Sequence, residues 1–230
     1  IRTGSEMLDE FLSHKGGVMP STNIIVIGDP GVGKSTICLD FMCEIQLFDQ
    51  TKRVGFLSGE MSKIDMYEYC ERYPKFKLLP SIFFEDYLEF NPQEVVENFL
   101  DEGWDVVCFD SLAEILALVQ SYNKWTSTQA ENWLLGLLKR HNDGGNKRKL
   151  YTSFLLIQQV TKGGQFVGSN RLKHMTTGMI EARFDKESNY RYICFTKNRR
   201  GEVHKKMNFV LSDQYVTYTY SQTDLAGIVI

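Results

Sequence analysis

The stretch Gly28-Asp29-Pro30-Gly31-Val32-Gly33-Lys34-Ser35-Thr36 constrains this chain more than any other. It fits G-x-x-x-x-G-K-S/T, the phosphate-binding loop, a pattern that carries weight when a strand precedes it and a helix follows. Residues 23–27, Asn-Ile-Ile-Val-Ile, form a short apolar run that reads as a buried strand. After the loop, Cys38, Phe41, Met42, Ile45 and Phe48 recur at helical spacing. The glycines let backbone N–H groups converge on a phosphate without Cβ clashes, and the helix start adds the positive end of its dipole. Lys34 is suited to the β- and γ-phosphates and the Ser35 hydroxyl to Mg²⁺. A nucleoside triphosphate with Mg²⁺ is therefore the expected ligand.

At 230 residues the chain suits one large α/β domain. Its 43% hydrophobic and 24% charged content is that of a soluble globular protein. No apolar run approaches membrane-spanning length, no basic leader precedes a short apolar segment, and no membrane partner is expected. The five cysteines (Cys38, Cys43, Cys70, Cys108 and Cys194) are far apart and lack a C-x-x-C pair. They read as small buried hydrophobes in a reducing compartment, with no zinc site. A net charge of −3 argues neither for nor against nucleic acid, because a ring or filament binds it through local loops. The chain begins at Ile1 without a methionine, as a piece of a longer protein would.

The remaining periodicity predicts a lead-in segment (1–21), a mostly parallel core (22–178) and antiparallel strands at the end (179–230). In the lead-in, Ser5 is placed to cap a short helix with Met7, Leu8, Phe11 and Leu12 on its apolar side. Strands are expected at 53–58, 81–84, 105–110 and 153–157, and helices from Lys63, over 92–102, from Leu112 and over 128–141. From about residue 179 the pattern becomes alternating, β-branched and aromatic, with short turns, which predicts a meander added to the parallel core.

Three strand ends attract attention. Asp110 closes an apolar strand downstream of the phosphate loop and suits an acid that holds Mg²⁺; the competing reading is a helix cap. Glu60, at another strand end, is suited to orient or deprotonate the water attacking the γ-phosphate, unless it is a solvated loop residue. Gln158 and Gln159 end a third strand, where an amide can sense the γ-phosphate. The following loop holds Lys162, Gly163, Gly164, Gly168 and Arg171, with Lys173 beyond it. By composition it is a surface loop; its cations also suit nucleic-acid phosphates. Lys197-Asn198-Arg199-Arg200-Gly201 is either a solvated basic turn or a pair of cations reaching a neighbouring subunit's γ-phosphate.

In this order the motifs resemble RecA-type ATPases, and within them the bacterial RadA (Sms) recombination ATPases. The matching pieces include Thr3-Gly4 through Leu8-Asp9, the phosphate loop, Ser58-Gly59-Glu60, and Val160-Thr161-Lys162 with Gly168 and His174-Met175. Lys197-Asn198-Arg199 with Gly201 is close to that family's Lys-Asn-Arg-Phe-Gly, with Arg200 where Phe is usual. The resemblance implies a RecA-type P-loop core, ATP with Mg²⁺, a homo-hexameric ring and single-stranded DNA in its central channel. It also implies ATP-driven helicase or branch-migration activity in recombination or replication. Lys197 and Arg199 would then act in trans beside the catalytic residues Glu60, Lys34 and Gln159, and residues 162–171 would form a channel loop. The family's four-cysteine zinc module and Lon-protease-like domain have no counterpart in these 230 residues. Ser58-Gly59-Glu60-Met61-Ser62 is also partly similar to DnaB-type replicative helicases, so a DnaB-like helicase, or a KaiC- or mediator-type ATP switch without translocation, is the alternative. The expected setting is the cytoplasm of a bacterium or phage-infected cell.

Overall fold

The computed structural model describes residues 1–159, 170–185 and 190–220. In chain order the elements are α1 (Glu6–Leu12), β1 (Asn23–Gly28), α2 (Lys34–Phe48), β2 (Val54–Ser58) and α3 (Lys63–Arg72). A 3-10 turn (Pro74–Leu78), β3 (Ser81–Phe83), a second 3-10 turn (Phe84–Tyr87), α4 (Pro92–Asp101) and β4 (Val106–Asp110) follow. Next come α5 (Leu112–Asn123), α6 (Ser127–Asn142), β5 (Ser153–Gln159) and α7 (Asn170–Met175). The last strands are β6 (Gly178–Phe184), β7 (Arg191–Asn198), β8 (Lys206–Leu211) and β9 (Val216–Thr219).

The nine strands share one sheet in the order β3-β2-β4-β5-β1-β6-β7-β8-β9. From β3 to β6 every pairing is parallel, and from β6 to β9 every pairing is antiparallel. Strand periodicity explains why helices cover both faces. Ile24, Val26, Val106, Cys108, Leu155 and Ile157 join the core beneath α2 and α3, whereas Ile25, Ile27, Val107, Phe109, Phe154 and Leu156 join the core beneath α4, α5 and α6. Alternate residues thus face opposite layers, and a strand buried on both sides reads as a continuous apolar run. Each such side chain removed from water contributes about 1.5–3 kcal/mol before entropy is subtracted.

Helix starts follow their caps. Ser5 accepts from the Leu8 N–H, Ser62 and Asp65 form a reciprocal capping box, and Asn91 caps α4 with Pro92 at its first position. The architecture is the expected one: a mostly parallel α/β sheet flanked by helices, extended by antiparallel strands. The meander's first strand differs in one respect. β6 pairs parallel with β1 on one side and antiparallel with β7 on the other. The connection through α7 carries the chain from β5 past β1, and such a crossover returns the next strand in the parallel sense. The two 3-10 turns are also additions, each too short for apolar periodicity to reveal.

Candidate active site

The parallel strands end together, and their register decides what meets there. Gly28 of β1 pairs with Gln159 of β5, and Ser58 of β2 pairs with Asp110 of β4. The Gly59 N–H then donates to the Asp110 carbonyl at 2.8 Å, which fixes the turn carrying Glu60. Lys34, Ser35, Glu60, Asp110 and Gln159 consequently line one cleft of about 770 Å³ at the carboxyl end of the sheet. The phosphate loop bridges β1 and α2 as expected. Gly33 adopts φ 102°, a backbone conformation that favours glycine, and a Cβ there would lie 2.7 Å from Leu211 Cδ1, which would have to shift.

Lys34 is nearly buried, and its Nζ donates to the carbonyls of Gly28 at 2.9 Å and Asp29 at 3.0 Å. Burial lowers its pKa, against the attraction of Asp110 and Glu60. Its ammonium is thus folded over the loop, next to where phosphate oxygens would bind. Asp110 is 3% exposed. Burial pushes its carboxyl up to about 6, opposed by a Ser35 hydrogen bond and by Lys34 and reinforced by Glu60. Asp110 closes β4, and the cap position of α5 belongs to Ser111, so the helix-cap reading of Asp110 is not what forms. A hard divalent cation takes oxygen donors, and a desolvated carboxylate beside a hydroxyl fits Mg²⁺ with Asp110 and Ser35 as its protein contacts.

Glu60 and Gln159 come within reach of each other. The Gln159 amide nitrogen lies 3.3 Å from Glu60 Oε2 and 3.5 Å from Oε1. The two sequence-derived residues thus meet, carboxylate beside neutral amide, in the cleft.

Lys197 and Arg199 are elsewhere. Gly178, opposite Ile24 at the far end of β1, pairs with Asn198, so the basic turn sits at the amino-terminal edge of the parallel strands. The four residue steps from Ile24 to Gly28 correspond to roughly 13 Å of strand. Lys197 Nζ donates to the Lys173 carbonyl at 2.6 Å, and Arg199 donates to the His174 carbonyl at 3.1 Å, at the carboxyl end of α7. The fold does not bring these two cations to the phosphate loop of their own chain. Arg171 and Lys173 are exposed on α7, with Arg171 donating to Asn132 of α6. Lys162, Gly163 and Gly164 lie outside the described residues.

The cleft also holds cations that the sequence reading missed. Arg72 and Arg191 line it, and Arg183 lies 3.7 Å from Asp29 within the phosphate loop. The signal for Arg183 and Arg191 is strand direction: β6 ends, and antiparallel β7 begins, at the loop edge of the sheet.

Fold and motif together define the class, a P-loop core of the RecA type. Two solved structures share the fold. A KaiC-like protein from Pyrococcus horikoshii superposes with TM-score 0.65 at 17% identity, covering 95% of this chain and 98% of its own. The flagellar accessory protein FlaH from Methanocaldococcus jannaschii gives 0.70 at 15%, covering 94% and 96%. In sequence, the chain is similar to the DNA repair protein RadA of Streptococcus pneumoniae, 28% identical over 211 residues, 89% of this chain and 46% of that protein. RadA of Pseudomonas aeruginosa is 25% identical over 214 residues, 92% and 44%. The chain thus spans less than half the length of these curated relatives. No family model matches it.

Proposed function

We propose that this protein is an ATP-hydrolysing motor on single-stranded DNA, of the RadA kind, working as a homo-hexameric ring in recombination or replication in the cytoplasm. The observation that carries the reading is a division of labour across the sheet. Lys34, Asp110, Glu60 and Gln159 share one cleft, whereas Lys197 and Arg199 occupy the opposite edge of the same sheet. In this reading a second copy completes the site by bringing its basic turn to the first copy's cleft.

The chemistry follows from the residues. The loop amides and Lys34 hold the β- and γ-phosphates, with the Lys34 ammonium exchanging two carbonyl acceptors for phosphate oxygens. Mg²⁺, when held by Ser35 and Asp110, neutralises phosphate charge. Glu60 orients water in line with the γ-phosphorus and accepts its proton, its carboxylate steadied by Gln159. Lys197 and Arg199 from the neighbouring copy offset the charge that develops during transfer, a contribution of about 10³–10⁵ in rate where such cations are known. Gln159 is the residue before segment 160–169, so a shift of Gln159 is passed directly to that segment along the chain. Lys162, Gly163, Gly164, Arg171 and Lys173 are the proposed contacts to DNA phosphates.

The test is hydrolysis with and without single-stranded DNA across a salt series. Stimulation by DNA that fades with salt, and complete loss in Lys34→Ala, are the expected results. Hydrolysis indifferent to DNA at low salt would remove the motor and leave an ATP switch.

A further inference from the structure

The cleft is longer than the phosphate loop needs. The two acids lie over β4 and β2, on the β5 side of β1. The terminal phosphate belongs on that side, beside Glu60. The rest of the molecule must run the other way, toward β6, β7 and β8. There the cleft is lined by Tyr69, Arg72, Arg191 and Leu211.

Two arginines stand in this half, and their circumstances differ. Arg72 has its donors engaged: Nε meets the Ser212 carbonyl and Nη2 the Leu211 carbonyl, both at 3.1 Å, and its plane lies 5.2 Å over the Tyr73 ring. It braces the turn after β8 against α3. Arg191 lies 4.9 Å over the Phe184 ring, and among the described residues its buried Nε has no hydrogen-bond partner. A desolvated guanidinium N–H with no acceptor is costly unless something else supplies one. Burial and the nearby Arg72 both weigh against its charge. Tyr69, stacked on Phe76, adds an aromatic wall to the same end.

We propose that Arg191, with Tyr69 in the same half of the cleft, binds the base-and-ribose half of the nucleotide, and that Arg72 is a positioning residue holding that wall in place. The inference rests on the reading of the phosphate loop given above. A guanidinium offers a flat face for a base and N–H donors for a ribose oxygen or ring nitrogen, and Arg191 lines the cleft in the half where that part of the molecule must lie. The site therefore distinguishes a nucleotide from a bare polyphosphate chain.

Calorimetry with Mg²⁺, titrating ATP and inorganic tripolyphosphate separately, tests this. Wild type should bind ATP at least roughly tenfold more tightly than tripolyphosphate, and Arg191→Ala should weaken ATP by a similar factor while leaving tripolyphosphate within about twofold. Arg191→Lys, which keeps charge but loses the plane, should recover only a small part of the loss. Equal weakening of both ligands, or none, overturns the proposal, as does full recovery by lysine. If Arg191→Ala does not fold, wild type alone decides: equal affinity for ATP and tripolyphosphate rules the nucleoside site out. Lys34→Ala separates the two readings, because it should lose both ligands; if it keeps both, the phosphate-loop reading fails, and with it this one.

Discussion

Burial makes the ionised form of Asp110 expensive, and that expense is informative about what the residue is for. Its pKa in the folded chain is raised to about 6 from an ordinary 3.8. The associated stability is fully present below about pH 4 and is lost as pH rises through about 6. Asp110→Asn should therefore stabilise the nucleotide-free protein at pH 7 by about 1–3 kcal/mol, with the difference vanishing near pH 4. Thermal melts across that range check it. The same substitution should reduce Mg²⁺-dependent hydrolysis on the order of a hundredfold or more, since an amide does not neutralise a metal. In wild type at limiting Mg²⁺, hydrolysis should fall as pH drops through about 6, because protonated Asp110 no longer holds the cation. Gly33 makes the opposite point, that of a residue with no side chain to offer. Gly33→Ala, at φ 102° and against Leu211, should cost about 1–3 kcal/mol of stability and weaken nucleotide binding, measured by melts and calorimetry.

At the scale of elements, α2 carries the phosphate loop and must be held at its middle as well as its start. Asp40 on α2 is 1% exposed, with Lys75 of the first 3-10 turn 2.6 Å away and the Tyr218 hydroxyl donating to it at 3.0 Å. Lys75 also lies 2.5 Å from Glu44, one turn along α2. Burial pushes Asp40 up to about 6 even so. Lys75→Met strands a buried carboxylate and should cost about 3–5 kcal/mol, whereas Asp40→Asn combined with Lys75→Met should recover at least half, as denaturant melts would measure. This lock joins α2, a 3-10 turn and β9, and no local pattern announces it. Elements that declare themselves locally were legible: the strand, loop and helix around Gly28 to Thr36, the Ser5 cap, and the helices from Lys63 and from residue 92. Strand ends bearing Glu60, Asp110 and Gln159 were legible for the same reason, since parallel strands share an edge. Arg191 was not, because its place depends on β7 running antiparallel to a strand whose partner across the sheet is β1.

For the whole molecule, the sheet separates chemistry from its proposed accelerators. Lys197 and Arg199 rest on the carbonyl end of α7, while the cleft opens at the other edge. A lone chain therefore has the loop, the acids and Gln159 at one end and those two cations at the other. Salt should weaken DNA binding steeply, and removing Lys173 should lessen that slope without altering hydrolysis in the absence of DNA, as anisotropy and phosphate release would record. The most direct measurement of the central claim mixes two inactive variants, Lys34→Ala and Arg199→Ala. Each retains what the other lacks, so a seam between an Arg199→Ala cleft and a Lys34→Ala basic turn is intact, and the account predicts that the mixture hydrolyses ATP where neither variant does alone. An Arg199→Ala protein as active as wild type, or a mixture of two well-assembled inactive variants that stays inactive, would contradict it.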